Sequence, residues 1–154
     1  MRFLTTILFC VLSLDALAQE VYPTGCVPWP IHEAIPTITN TQPLTLMLHN
    51  LSNNDLWVTR PANDQGAQAG FSSLLQAGKW SSLAINLNKT SLPIKCIESQ
   101  PGHEQEISCA DVLAICQWPK TKFPEIDSGI FWAGENMHLA PLLAFLARQG
   151  YVLQ

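Results

Sequence analysis

Apolar and polar residues alternate along much of the chain, which is the period-two pattern of β-strands. In LTLMLHNL, residues 44–51, Leu44, Leu46 and Leu48 occupy alternate positions, and the turn cluster SNND and then LWVTR follow. This pattern predicts a β-hairpin over residues 44–60. A second hairpin is predicted where FSSLLQ and WSSLAINL flank Ala77-Gly78. DVLAICQW, residues 111–118, is apolar on both faces, as expected for a strand inside a sandwich.

The period changes near the C-terminus. Leucines recur at intervals of three and four residues and form one face of a predicted helix: Leu139, Leu142, Leu143 and Leu146. Gly150 is suited to end this helix. Short strands with regular turns and one terminal helix predict a mainly β fold. We expect a small antiparallel β-sandwich or barrel with one C-terminal α-helix.

Residues 19–43 differ from the rest because prolines recur throughout the segment. Such a density excludes a regular helix or a central strand. We therefore expect a proline-rich extended arm laid over a single domain, residues 44–154. Trp29 and Cys26 are the residues expected to hold the arm in place.

The first 18 residues have the features of a secretory signal peptide. Arg2 precedes an apolar run from Phe3 to Leu14, and Ala16-Leu17-Ala18 supplies small residues before a cleavage site expected at Gln19. The run is too short to span a bilayer. These features predict a periplasmic or secreted bacterial protein that has no membrane span once the leader is removed.

The charge composition limits the classes of partner. The chain has 8 basic and 12 acidic residues, a net charge of −4, and no basic patch. Removing the leader takes away one residue of each sign and leaves the net charge unchanged. Nucleic acids and anionic membrane surfaces are therefore not expected as partners.

Four cysteines remain after the leader, an even number that predicts two disulfides in an oxidising compartment. Cys109 and Cys116 would be roughly 10 Å apart in a helix and about 23 Å apart in a strand, too far for a disulfide. A hairpin from Cys96 to Cys109 is centred beside the turn-forming Pro101-Gly102. We therefore expect the pairs Cys96–Cys109 and Cys26–Cys116.

The stretch CIESQPGHEQEISC, residues 96–109, then becomes a covalently closed hairpin. Such a hairpin loses less conformational entropy on binding, so it suits protein recognition. His103 would make this recognition sensitive to mild acid. The residues predicted to form the binding tip are Gln100, Pro101, Gly102, His103, Glu104 and Glu106.

Catalytic motifs are not found in the sequence. GFSSL lacks the spacing of a GxSxG elbow, and neither HExxH nor a Gly-rich phosphate loop occurs. Glu98, Glu104 and Glu106 have the chemistry of paired carboxylates but are typical of a solvated acidic tip. Glu135, beside Trp132, is the only carboxylate set among aromatic residues. We predict no enzyme, no catalytic residue and no cofactor.

A metal site is the remaining chemical alternative. Met47 and His49 share one face of a predicted strand, and Met137 and His138 are adjacent, so a copper site of mixed histidine and methionine ligands is conceivable. The spacing is not diagnostic, and solvent-facing strand residues are the simpler interpretation. No metal ligand is assigned.

Two tripeptides match the acceptor pattern for N-glycosylation, at Asn50 and at Asn88. They matter only if the protein is made in a eukaryotic host. The compact leader favours a bacterial origin instead.

The segments HNLSNNDLWVTRP, LQAGKWSSLAI, CIESQPGHEQEISC and FWAGENMHLAPLLAFLARQGYVL resemble enhanced entry proteins of the EnhB type. These are small exported proteins of gamma-proteobacteria that live inside host cells. The resemblance runs from about residue 44 to the C-terminus and rests on the cysteine-bracketed PGHEQ hairpin. It implies a virulence-associated accessory factor of host-cell entry without enzymatic activity or cofactor, whose partner is an unidentified envelope or host-surface protein. It defines no functional residues.

A second resemblance concerns mechanism alone. Some periplasmic lysozyme inhibitors insert a disulfide-closed loop bearing a histidine into the enzyme cleft. The hairpin of residues 96–109 has these ingredients, which makes inhibition of a lysozyme or lytic transglycosylase an alternative function. Its loop is longer and more acidic, and its three glutamates would face an acidic cleft unfavourably.

Overall fold

The structure, a computed structural model, describes residues 22–60, 71–125 and 129–154. The predicted leader and its cleavage site lie outside the described residues. Eleven strands and two helices are formed in these ranges. In chain order they are β1 (Val27–Trp29), β2 (Thr37–Asn40), β3 (Leu44–Asn50), β4 (Asp55–Arg60), β5 (Phe71–Leu75), β6 (Trp80–Asn86), β7 (Thr90–Pro93), β8 (Lys95–Gln100), β9 (His103–Ile107), α1 (Cys109–Val112), β10 (Leu113–Trp118), β11 (Gly129–Met137) and α2 (Leu139–Arg148).

The strands form two main antiparallel sheets. One has the order β1-β10-β3-β6-β11, and the other has the order β5-β4-β8-β9. A two-stranded ribbon, β2-β7, accompanies them. The predicted mainly β fold with a C-terminal helix is confirmed, and of the two predicted forms the barrel is absent, since the described strands form no closed barrel.

The predicted hairpin over residues 44–60 is wrong, although both of its strands exist. β3 pairs with β6 and β10, whereas β4 pairs with β5 and β8, so the chain changes sheets between them. The side chain of Asn50 holds this crossing. Its Nδ2 donates to the carbonyls of Asn54 and Leu75, both at 2.8 Å, and its Oδ1 accepts from the backbone N–H of Ser52 at 2.9 Å.

The second predicted hairpin is wrong for the same reason. β5 pairs with β4 in the four-stranded sheet, whereas β6 pairs with β3 and β11 in the five-stranded sheet. The tight turn at Ala77-Gly78 is present, and Lys79 N–H donates to the carbonyl of Gln76 at 3.0 Å. The turn therefore passes the chain between sheets instead of joining neighbouring strands.

The space between the two sheets is filled by the larger apolar cluster. It draws on alternate residues of the central strands, so that Leu46, Leu83 and Ile115 of one sheet meet Val58 and Leu75 of the other. All five side chains are almost completely buried. Burial of this kind is the main favourable contribution to the free energy of folding.

The opposite face of the five-stranded sheet is covered by α2. Leu142 and Leu146 are fully buried there, and Leu139 and Leu143 pack beside them, which confirms the predicted helix face. The helix ends at Arg148, and Gly150 follows it with a positive φ, as predicted for the residue after the C-cap, so that two hydrogen bonds cap the last carbonyls. Gly150 N–H donates to Ala147 and the next residue's N–H donates to Leu146, both at 3.1 Å.

The arm runs along the domain in extended conformation. Within residues 22–43, β1 lies at the edge of the five-stranded sheet and β2 pairs only with β7, so no central strand is formed there. Trp29 packs against the core between the sheets, and Ile38 is buried in it. Cys26 is bonded to Cys116 on β10. In the described part of the chain, neither helix has the length and apolar character needed to cross a lipid bilayer.

Candidate functional site

The predicted hairpin of residues 96–109 is present as β8 and β9. The strands pair without a register shift, from Gln100 opposite His103 down to Cys96 opposite Ile107. The two-residue connection is Pro101-Gly102, the predicted turn signal, and the hairpin is centred on it one residue before the expected midpoint, so that Cys109 lies beyond the end of β9. Gly102 has φ +80°, which the second central residue of a type II turn requires. Pro101, at the first central position, fixes its own φ near the value that this turn needs. The turn chemistry therefore determines the register of the hairpin.

Both predicted disulfides are present. Cys96 is bonded to Cys109 with a Cα separation of 5.3 Å, and Cys26 is bonded to Cys116 with a Cα separation of 5.5 Å. The Cys96–Cys109 bond lies in the core between the sheets, where neither residue has exposed surface. The base of the hairpin is thus fixed to the interior, and the cysteine sulfurs are engaged in covalent bonds.

The solvent side of the hairpin carries two of its glutamates. Ile97 lies opposite Glu106, and Ser99 lies opposite Glu104, so these four residues share the face of the sheet that points away from the core. Lys95 Nζ lies 3.0 Å from Glu106 Oε2. Glu104 has no such cation among the described residues.

The third glutamate is on the other face. Glu98 lies opposite Gln105, on the side where Cys96 enters the core, and its carboxylate accepts a hydrogen bond from the Asn54 side chain. Glu98 is therefore separated from the other two carboxylates by the sheet itself. Gln100 and His103 are exposed beside the turn. The structure brings the predicted tip residues together but does not gather the three glutamates into one cluster.

A shallow depression of about 270 Å³ lies on the outer face of the four-stranded sheet. Trp57, Thr59, Ser72, Ile97 and Glu104 line it. Sequence reasoning missed Trp57 as a surface residue. The signal was present, because in DLWVTR the tryptophan alternates with Leu56 and Val58, both of which are fully buried.

Met47 and Met137, two of the residues considered for copper, pack in the apolar cluster beneath α2, and His49 and His138 contact neighbouring side chains. Met47 is fully buried beneath α2, so its interpretation as a solvent-facing residue is wrong. His49 stacks on Trp80 with ring centroids 4.2 Å apart. His138 Nε2 lies 2.7 Å from Lys79 Nζ, a hydrogen-bonding distance. Among the described residues no group of three or more His, Cys, Asp or Glu side chains is arranged to hold a metal ion.

The remaining chemical candidates are Glu135 and the two predicted glycosylation acceptors, Asn50 and Asn88. Glu135 is exposed, on an irregular stretch of β11. Asn50 is fully buried with both Nδ2 protons donated, so the folded protein does not present this amide for glycosylation. Asn88 is exposed.

Comparisons with protein-family models, with curated proteins and with solved structures find no match to this chain. The resemblance to enhanced entry proteins of the EnhB type stays a prediction.

Proposed function

We propose that this protein is an exported binding protein that presents the β8–β9 hairpin to a partner protein. The observation that supports the proposal is the contrast between the two ends of the hairpin. Cys96 and Cys109 are bonded inside the core, whereas every residue from Gln100 to Glu106 is exposed. A rigid base and an exposed polar end are the properties of a preorganised recognition element.

The fixed base reduces the entropic cost of binding. A flexible surface loop must be ordered when a partner arrives, at roughly 0.5–1.5 kcal/mol for each immobilised side chain. Here the backbone of the exposed end is already determined by the ladder between β8 and β9 and by the Pro101-Gly102 turn. Contacts made by Gln100, His103, Glu104 and Glu106 therefore contribute to affinity without a loop-folding penalty.

The chemistry of the exposed end favours a protein partner. It offers amide, imidazole and carboxylate groups and no large apolar side chain. The carboxylates favour a partner surface with basic residues. The two disulfides are compatible with export to the periplasm or beyond, where the resemblance places an accessory factor of host-cell entry.

A photo-crosslinking experiment tests the proposal. The photoreactive residue benzoylphenylalanine is introduced in place of His103, and in a matched control in place of Ala144, an exposed residue of α2. Each purified protein is irradiated with bacterial envelope extract and with host-membrane extract. We expect a crosslinked partner from position 103 that unlabelled protein competes away, and none from position 144. Equal crosslinking from both positions, or none from position 103, would contradict the proposal.

Inhibition of a lysozyme or lytic transglycosylase is the second candidate, favoured by the exposure of His103 beside the turn. It predicts stoichiometric inhibition of the purified enzyme. The inhibition should be lost when His103 and Glu104 are both changed to alanine. Full enzyme activity at a tenfold molar excess of the protein would eliminate this candidate.

A further inference from the structure

Strand β9 is the edge of the four-stranded sheet. It pairs with β8 on one side and has no strand on the other among the described residues. An edge strand carries a row of main-chain groups that another extended chain can bind. Which chain can bind therefore depends on the main-chain groups and the charges that β9 exposes.

The hairpin register determines which main-chain groups of β9 point outward. Gln100 and His103 flank a two-residue turn, so they form a hydrogen-bonded pair. Along an antiparallel ladder, hydrogen-bonded pairs alternate with pairs whose main-chain groups point away from each other. The N–H and C=O groups of His103, Gln105 and Ile107 therefore point toward β8. Those of Glu104 and Glu106 point outward, away from the sheet.

The outward groups are open in the described part of the chain. No hydrogen bond between described residues reaches the main chain of Glu104 or Glu106. The arm approaches only farther along, where Cys109 N–H donates to the carbonyl of Ala34 at 2.9 Å. Both glutamate side chains are exposed. The edge is thus accessible over the residues that the disulfide and the turn hold in place.

The charges on β9 decide which chain fits. A second copy of this strand would bring glutamate next to glutamate, and like charges on neighbouring strands are destabilising. A segment with lysine or arginine at alternate positions would place these cations beside Glu104 and Glu106 on the outer face. Lys95 forms an ion pair with Glu106, so the carboxylate of Glu104, which has no ion pair among the described residues, should contribute more to the selection of a basic segment.

We propose that β9 binds an extended segment of a partner protein as a fifth strand of this sheet, and that the segment carries basic residues at alternate positions. This inference rests on the proposed function, because it states how the hairpin recognises its partner. The main chain of Glu104 and Glu106 supplies the hydrogen bonds, and their carboxylates select for basic side chains.

The probe for the test is the peptide acetyl-TKVKVKT-amide, with acetyl-TEVEVET-amide as the charge-reversed control of equal length. Residue-resolved amide hydrogen exchange is followed by NMR in the full exported protein. In the free protein the amides of Glu104 and Glu106 should exchange faster than those of Gln105 and Ile107. Saturating basic peptide should slow Glu104 and Glu106 by more than tenfold, and the acidic peptide should leave them unchanged. Unchanged exchange at both residues with the basic peptide bound, or equal effects of the two peptides, would overturn the proposal.

Two variants test the source of selectivity. The double substitution Glu104→Gln with Glu106→Gln should weaken binding of the basic peptide by about fivefold to tenfold. The double substitution Glu125→Gln with Glu135→Gln also removes two charges, at exposed positions outside β9 and the arm, and should leave the affinity unchanged. Equal weakening by the two variants would show a general charge effect and would contradict edge binding.

Peptides that carry N-methyl groups on alternate residues test the hydrogen bonds directly. One peptide is methylated at the residues whose N–H groups would face β9, and this change should abolish binding. The other is methylated at the residues in between, whose N–H groups would point away from β9, and it should still bind. Binding of both methylated peptides would overturn strand addition. If position 103 crosslinks a partner while the Glu104 and Glu106 amides stay fast in that complex, the inference fails and the proposed function stands. If neither crosslinking nor peptide binding occurs, both fail.

Discussion

Cys96 and Cys109 are bonded to each other without any solvent-accessible surface, at the base of a hairpin whose other end is fully open to water. The bond lies among the leucines and isoleucines between the two sheets. The buried disulfide therefore fixes the position of the exposed end relative to the core. This relationship connects the stability of the fold with the candidate function.

We predict that the two disulfides contribute unequally to stability. The bond between Cys26 and Cys116 spans 90 residues, and that between Cys96 and Cys109 spans 13. Because the longer loop restricts the unfolded chain more, removing the first pair by alanine substitution should cost about 4.5 kcal/mol and removing the second about 3 kcal/mol. Urea unfolding of the two double variants measures both. The reverse order would contradict the assignment of loop entropy as the main contribution.

The thiol state of the exported protein provides a direct check on processing. We expect the intact mass to match a chain that begins at Gln19 and lacks the four hydrogens of two disulfides. Alkylation of the denatured, unreduced protein should add no mass. Free thiols or an uncleaved leader would contradict the predicted export.

Replacing Asn50 by aspartate should destabilise the protein strongly. The Nδ2 group of Asn50 donates to two backbone carbonyls, and an aspartate would turn an oxygen toward them in a fully buried position. We expect a loss of about 2–4 kcal/mol in the free energy of unfolding. Asn53→Asp makes the same chemical change at an exposed position of the same turn and should cost less than about 0.5 kcal/mol. Similar losses for both would show that the Asn50 hydrogen bonds do not hold the crossing.

Gly134 determines how closely α2 approaches the sheet. A Cβ atom at this position would lie 2.5 Å from Leu142 Cδ1 and 3.3 Å from Phe145 Cδ1. We expect Gly134→Ala to cost about 1–3 kcal/mol through overpacking, and Leu142→Ala about 2–5 kcal/mol through a cavity.

The double variant of Gly134 and Leu142 is the informative control. In the double variant the new methyl group would occupy space that the shortened side chain leaves. The double variant should therefore lose less free energy of unfolding than the sum of the two single variants, by at least about 1 kcal/mol. Thermal or urea unfolding of the four proteins gives this coupling. Strict additivity would mean that the two residues do not compete for the same space.

The hairpin glutamates should be almost neutral for stability. Glu106 is half-exposed and pairs with Lys95 at 3.0 Å, a surface ion pair of the kind that contributes little. We expect Glu104→Gln and Glu106→Gln each to change the free energy of unfolding by less than about 0.5 kcal/mol. Urea unfolding in low and high salt checks this. A larger loss would mean that their binding defects report on folding instead of recognition.

Several features were decided by the sequence alone because they depend on neighbouring residues. The helix face of Leu142 and Leu146 follows from a period of three and four residues. The hairpin turn follows from Pro101-Gly102, and its position in turn favoured the pairing of Cys96 with Cys109. The strand character of residues 44–50 follows from their apolar pattern. The strand predicted over residues 111–118 forms only from Leu113 onward, because Asp111 and Val112 belong to the short helix α1.

Only the tertiary structure decided which strands are partners. The pattern of β3 and β4 is equally compatible with a hairpin and with a crossing between sheets, because a strand's alternation does not record the hydrogen-bonding neighbour on either side. The buried side chain of Asn50 favours the crossing, but its bond to the carbonyl of Leu75 spans 25 residues. Such contacts cannot be inferred from a local pattern.

The candidate site shows the same division. Its residues and its closing disulfide were predictable from CIESQPGHEQEISC, whose chemistry is local. The separation of Glu98 from Glu104 and Glu106 was also predictable, because the register set by the Pro101-Gly102 turn places Glu98 on the opposite face. The position of β9 at a sheet edge and the burial of Met47 beneath α2 were not. Each depends on which element packs against a strand from a distant part of the chain, and that choice is made by the shared apolar core.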